Sequence, residues 1–172
     1  MREQDTQRRL AASVFDFASE GITITGANCD ILAVNRRFTE ITGYSAEEVI
    51  GRNPRVLSSG RHGPEFYRAM WQSVGASGHW AGEIWNKCKS GEVIPEWLSI
   101  TAIRDAAGKV TNYVAIFVDL SERFSAEQAM CDSEERMRLT MDASLDAVIG
   151  MDREGRITAW NAEAERMLGH AR

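Results

Sequence analysis

The sequence predicts an α+β fold: a five-stranded antiparallel sheet with helices on one face, followed by a connector helix. Three observations carry this reading. A strand, turn, strand, Asn, helix unit occurs twice along the chain; three further stretches alternate apolar and polar residues between turn sequences; and two segments carry helical signals, one beginning at Pro64 and one spanning residues 121 to 141. The implied organisation is an N-terminal amphipathic helix over residues 1–20, a first domain over 21–120, a connector helix over 121–141, and the start of a second, incomplete domain over 142–172.

In order, Leu10, Val14 and Phe17 fall at i, i+4 and i+7, so residues 5–19 read as an amphipathic helix ahead of the first strand. The segment Ile22-Thr23-Ile24, a polar turn at Asn28-Cys29-Asp30, and Ile31-Leu32-Ala33-Val34-Asn35 then form strand, turn and strand. The same pattern returns without a gap as Val148-Ile149-Gly150, Glu154-Gly155-Arg156 and Ile157-Thr158-Ala159-Trp160-Asn161. Asn161 follows Asn35 by 126 positions (161 − 35), and Gly169 follows Gly43 by the same step. Each Asn is placed to cap a following helix, with apolar spacing at Phe38 and Ile41 and at Ala164, Met167 and Leu168. The second copy has no counterpart of residues 45–120 within the chain, so its strand edges are expected to be exposed and its stability alone to be poor.

Pro64 after Gly63 suits a first helical turn, with Phe66, Met70 and Val74 as the buried stripe and Gly75 and Gly78 as stop signals. Strand signals follow at 79–88, 92–104 and 110–119. They are separated by the turn sequences Lys89-Ser90-Gly91 and Asp105-Ala106-Ala107-Gly108, which makes an antiparallel meander. Residues 121–141 are charged and helix-favouring, with Phe124, Ala126, Met130, Met137 and Met141 as a broken apolar seam suited to pairing in a dimer. Phe38, Ile41, Phe66, Met70, Ile84, Leu98, Ile100 and Val114 are the expected core.

Composition narrows the function classes. The 172 residues are 44% hydrophobic, enough for a core, and carry 20 basic against 25 acidic side chains, a net charge of -5. Lys and Arg are scattered rather than gathered into a stripe, which gives phosphate-backbone binding no electrostatic support, so no nucleic-acid partner is expected. Apolar runs are short and the N-terminus is polar, so neither a membrane contact nor a signal peptide is expected. Cys29, Cys88 and Cys131 have no paired spacing, which suits a reducing, cytoplasmic compartment and argues against both disulfides and zinc. No nucleophile with a base, carboxylate pair, metal set or Gly-rich phosphate loop occurs at usable spacing; catalysis and metal binding are therefore not expected.

The motifs resemble those of the PAS/PAC (S-box) sensory family, here as a tandem with a truncated second copy. Asn35-Arg36-Arg37-Phe38 with Thr42-Gly43-Tyr44 resembles that family's first helix, Gly51-Arg52-Asn53-Pro54-Arg55 its central crossing, and Trp80-Ala81-Gly82-Glu83 with Asn86-Lys87-Cys88-Lys89-Ser90-Gly91 its strand hairpin. Asp119-Leu120-Ser121-Glu122-Arg123 resembles its exit signature. The likeness is greatest to PAS modules of cyclic-di-GMP cyclase or phosphodiesterase proteins and of sensor histidine kinases. It implies a non-catalytic input module that senses a small ligand or redox state, or mediates dimerisation. The change would pass through the connector helix to an output domain outside this chain, within a homodimer held by the N-terminal and connector helices.

Alternation places Trp80, Gly82, Ile84, Asn86 and Cys88 on one face of the hairpin's first strand and Ala81, Glu83, Trp85 and Lys87 on the other. Asn86 is thus a polar side chain on an apolar face, which must find partners in the backbone or on a cofactor. In the next strand Ile94, Glu96, Leu98, Ile100 and Ala102 form one set, with Trp97 and Ile103 as the competing inner set. Glu96 is expected to reach solvent or Arg55, and Trp85 to lie under the N-terminal helix or a dimer partner. The resemblance adds a flavin reading. Light-oxygen-voltage domains carry a flavin-reactive Cys where this chain has Pro54, so that photochemistry is excluded. Arg55 matches their flavin-phosphate Arg, Asn86 matches a ring amide contact, and Ser58, Glu96 and Phe117 stand at polar contact positions. FAD-binding redox-sensing PAS domains share Trp80, Asn86 and Met70-Trp71, with Pro95 replacing an aromatic. The candidate cofactor residues are Asn35, Arg55, Ser58, Trp80, Asn86 and Glu96, with FAD the candidate cofactor. Haem is disfavoured, its candidate axial ligand being the loop residue His62. A ligand-free dimerisation scaffold is the remaining alternative.

Overall fold

The computed structural model describes residues 2–169. Residue 1 of the N-terminal segment and residues 170–172 of the second repeat lie outside the described residues. The chain divides into two compact units, Met1–Ser121 and Glu122–Arg172.

The first unit runs α1 (Arg2–Asp16), β1 (Gly21–Gly26), β2 (Ile31–Val34), α2 (Arg36–Thr42), α3 (Ala46–Val49), a 3-10 turn (Pro54–Leu57), α4 (Pro64–Ser77), β3 (His79–Lys87), β4 (Val93–Arg104) and β5 (Val110–Asp119). The five strands form one antiparallel sheet in the order β2-β1-β5-β4-β3. α4 packs on β3 and β4, and α2 packs on β1. The helix boundaries follow from local chemistry. Asn35 caps α2, Pro64 opens α4, and Gly78 closes it in the left-handed region, its N–H donating to Val74 O at 2.9 Å.

The core gathers Phe38, Met70, Ile84, Leu98 and Ile100, all buried, with Ile41 and Phe66 packed half-buried against them. Val114 departs from expectation. Register pairs Tyr113 with Thr25, Ala115 with Thr23 and Phe117 with Gly21, so the odd-numbered residues of β5 face inward and Val114 sits half-buried on the outer face. The same register inverts β1: Thr23 and Thr25 are buried, while Ile22 and Ile24 lie on the outer face. Gly21 is required by close approach, because a Cβ there would collide with the Phe117 ring, which itself meets Phe38 edge-on at 5.9 Å. On β4 the set containing Glu96 is inward; Trp97 and Ile103 are exposed.

α1 ends at Asp16, three residues earlier than its apolar spacing suggested. Phe17 is 79% exposed, and Leu10 and Val14 also face solvent. Trp85 is covered not by α1 but by the 59–62 loop. Ser59 Oγ donates to Trp85 O, Trp85 N–H donates to His62 Nε2 at 2.9 Å, and the Arg61 guanidinium lies 4.2 Å from the indole centroid.

α5 is a continuous helix, Ser121–Asp142, and Asp119 Oδ1 accepts from Ser121 N–H at 2.8 Å at its start. The second unit adds β6 (Ile149–Met151), β7 (Ile157–Trp160) and α6 (Ala162–Leu168), with β6 and β7 antiparallel. Its Asn161 repeats the bonds of Asn35 atom for atom. Asn35 Oδ1 accepts from Ile22 and Phe38 N–H, and its Nδ2 donates to Phe15 and Glu20 O. Asn161 does the same with Val148, Ala164, Met141 and Asp146, each 126 positions further on. Ile157, Met167 and Leu168 are exposed in this unit.

Candidate functional site

Between the inner sheet face and the segments that cross it, the first unit holds a half-open cavity of about 830 Å3. That lies within the range of small-molecule sites. Its base is apolar, with Ile84, Leu98 and Ile100 from the sheet and Phe38 and Met70 from the helices. Its polar groups come from β1 (Thr23, Thr25), the crossing segment (Arg55, Ser58), and the β3/β4 pair (Asn86, Glu96).

Asn86 and Glu96 are the centre of the site. They sit on adjacent strands, and Asn86 Nδ2 donates to Glu96 Oε2 at 2.7 Å. Glu96 is 1% exposed and its Oε1 has no hydrogen-bond partner. Burial pushes its carboxyl up to about 7, Asp119 beside it on β5 adds to the rise, and the Asn86 bond opposes it. Glu96 therefore reaches neither solvent nor Arg55, and Asn86 spends its amide on a side chain rather than on backbone. An unpartnered buried carboxyl oxygen is costly in a closed core.

Of the candidate cofactor residues, Arg55, Ser58, Asn86 and Glu96 are brought together on the cavity wall; Asn35 and Trp80 are not. Asn35 is spent on the four backbone groups around α2, which leaves it no capacity for a ligand. Trp80 lies over Gly82 and meets Phe66 edge-on at 5.8 Å. Arg55 is exposed, as is Arg68, a second guanidinium bordering the same cavity. Ser58 Oγ and Tyr67 OH are 3.2 Å apart, and Ser58 bridges to Asn86 on β3. His62 is held as an acceptor by Trp85 N–H and stacked on Phe66 at 4.0 Å, and burial lowers its pKa. Its Nε2 is thus engaged, which counts against axial ligation. Cys88 donates to Ile41 O at 3.4 Å and its thiol is pushed up to about 11, mainly by burial, so it is a structural thiol.

Thr23, Thr25, Tyr67 and Arg68 were not singled out by sequence. The available signal was the pair of threonines alternating with isoleucines in Gly21-Ile22-Thr23-Ile24-Thr25-Gly26: hydrophobicity favours the isoleucines inward, and only register shows that the hydroxyls face the cavity. Among the described residues no cluster of His, Cys, Asp or Glu is arranged to hold a metal. No described helix is long and apolar enough to cross a membrane.

A small antiparallel sheet, crossed by short helices that roof a cavity with a few convergent polar groups, defines a sensory input module. The chain belongs to the PAS domain family: residues 19–122 match the family described as PAS domain, and residues 135–172 match the one described as PAS fold. It is 28% identical over 152 residues to a nitrogen fixation regulatory protein of Klebsiella pneumoniae, covering 88% of this chain and 31% of that protein. It is 27% identical over 139 residues to a blue-light-activated histidine kinase of Rhizobium johnstonii, covering 79% of this chain and 40% of that one. The chain thus spans well under half the length of these relatives. A solved PAS domain from Colwellia psychrerythraea shares the fold, with a TM-score of 0.63 at 22% identity over 67% of this chain and 98% of that one. A light-oxygen-voltage domain studied with a flavin analogue matches with a TM-score of 0.59 at 26% identity, over 75% of this chain and 96% of that one.

Proposed function

We propose that the first PAS domain is a ligand-binding sensor whose cavity takes a flavin, and that α5 relays the resulting change to an output domain. The observation that carries the reading is the Asn86–Glu96 pair, with its buried and unpartnered Glu96 Oε1, on the wall of a cavity of about 830 Å3. A planar heterocycle with a polar edge satisfies such a pair, and the exposed Arg55 and Arg68 suit a phosphate tail at the rim. The likeness to a light-oxygen-voltage domain studied with a flavin analogue supports the same class of ligand. Flavin would supply redox chemistry. Pro54 on the cavity wall has no thiol to form an adduct, so the module would respond to redox state rather than to light through a cysteinyl bond. In this reading the chain is cytoplasmic, performs no catalysis itself, and serves a histidine kinase or a cyclic-di-GMP enzyme.

A ligand-free dimerisation scaffold is the second reading. It is favoured by exposed apolar residues on the outer sheet face, Trp97, Ile103, Ile116 and Val118, and by the open stripe of α1. Here the homodimer forms through α1 and α5. The two readings separate on absorbance. Protein purified with, or reconstituted by, FAD or FMN should show flavin bands, and Asn86→Ala should weaken flavin binding by about 1 to 3 kcal/mol while remaining folded. Protein that stays colourless after incubation with either flavin overturns the sensor reading and leaves the scaffold.

A further inference from the structure

Asn86 gives one amide proton to Glu96 Oε2, which leaves its second proton and its Oδ1 for an occupant of the cavity. Glu96 contributes Oε1, buried and without a partner. The imide edge of an isoalloxazine alternates carbonyl, N–H and carbonyl. Asn86 matches two neighbouring members of it, accepting from the N–H and donating to one carbonyl. The other carbonyl is an acceptor, and an ionised Oε1 is an acceptor too, so the two repel unless a proton lies between them.

We propose, resting on the flavin reading above, that Glu96 completes the recognition of that edge as a carboxylic acid, its Oε1–H donating to the second flavin carbonyl, so that binding draws a proton from solvent into the cavity. The surroundings favour this. Glu96 makes no ion pair among the described residues. From β3 it faces Asn86 and the neutral thiol of Cys88, and from β5 the carboxylate of Asp119, which adds negative charge. Elsewhere on the cavity wall are Arg55, Arg68 and Tyr67, and His62, whose pKa is lowered. With its carboxyl near 7, ligand-free Glu96 is divided between its two forms at neutral pH, and a ligand that accepts only the acid selects that form.

Riboflavin, which carries no titrating phosphate, is the probe. Its affinity is measured between about pH 6 and 9, with calorimetry at the alkaline end in two buffers of different ionisation enthalpy to count protons. For the native chain Kd should rise about tenfold per pH unit above about 7, with uptake approaching one proton per flavin. Glu96→Gln keeps the Asn86 bond through its carbonyl and donates through its amide, so it should bind with a flat pH profile and no uptake. Native binding without proton uptake, or the same pH profile in both proteins, overturns the inference while leaving the flavin reading standing. Failure of native protein to bind riboflavin, FMN or FAD at any pH overturns both. If the variant does not fold, the proton count of the native chain decides.

Discussion

Replacing Glu96 by Gln should stabilise the ligand-free protein in mildly alkaline solution and leave it unchanged in acid. Burial raises the carboxyl from its ordinary 4.5 to about 7, so ionisation costs more in the folded chain than in the unfolded one. The Glu96 contribution to native stability is therefore fully present below about pH 4.5, is lost as pH climbs, and reaches a plateau above about pH 7. At about 1.4 kcal/mol per pH unit, the interval between 4.5 and 7 comes to about 3 kcal/mol. Gln has the same shape, keeps an acceptor for Asn86 Nδ2 and cannot ionise. Urea unfolding of both proteins at several pH values isolates the contribution, because every other titrating group is common to the pair. The difference should be close to zero near pH 4.5 and grow to about 3 kcal/mol by pH 8, favouring the variant. A constant difference across this range would refute the assignment of Glu96 as a buried group titrating near neutrality.

Other outcomes follow from the same structure. Asn35→Ala strips two N–H groups and two carbonyls of their partners, and should cost about 2 to 4 kcal/mol in chemical denaturation. It should leave the flavin affinity of the folded fraction intact, since Asn35 lies outside the cavity. Phe38→Ala removes a ring with no exposed surface and its edge contact with Phe117; a loss of about 3 to 5 kcal/mol is expected from the same assay. Replacing Arg55 and Arg68 together by Ala should weaken FMN binding about tenfold and riboflavin binding hardly at all, and should flatten the salt dependence of the FMN titration.

Much of the fold was legible because local rules agree along the chain. Two Asn residues 126 apart, each followed by a helical apolar pattern, announce a repeated unit, and the structure returns four matching hydrogen bonds from each side chain. Period-2 alternation located β3, β4 and β5, and turn residues located their ends. Alternation also singled out Asn86 and Glu96 as polar residues on an apolar face. What it could not supply is which partner each would take. That depends on the pairing of Ile84 with Glu96 and Asn86 with Ile94, a cross-strand register set by the hairpin turn over 88–92 and visible only once the two strands are paired. Asn35 shows the reverse error: its residue type and its place in a motif suit a ligand contact, yet the tertiary structure commits all its hydrogen-bonding capacity to backbone. Facing was likewise a tertiary decision. Val114 and Ile22 have the hydrophobicity of core residues, but in the observed register Phe117 lies over Gly21, the isoleucines of β1 face outward and its threonines face the cavity. The sequence alone determined the elements, their order and their repeat, because those rest on neighbouring residues; the cavity and the charge state of its central carboxyl exist only once strands distant in sequence are packed side by side.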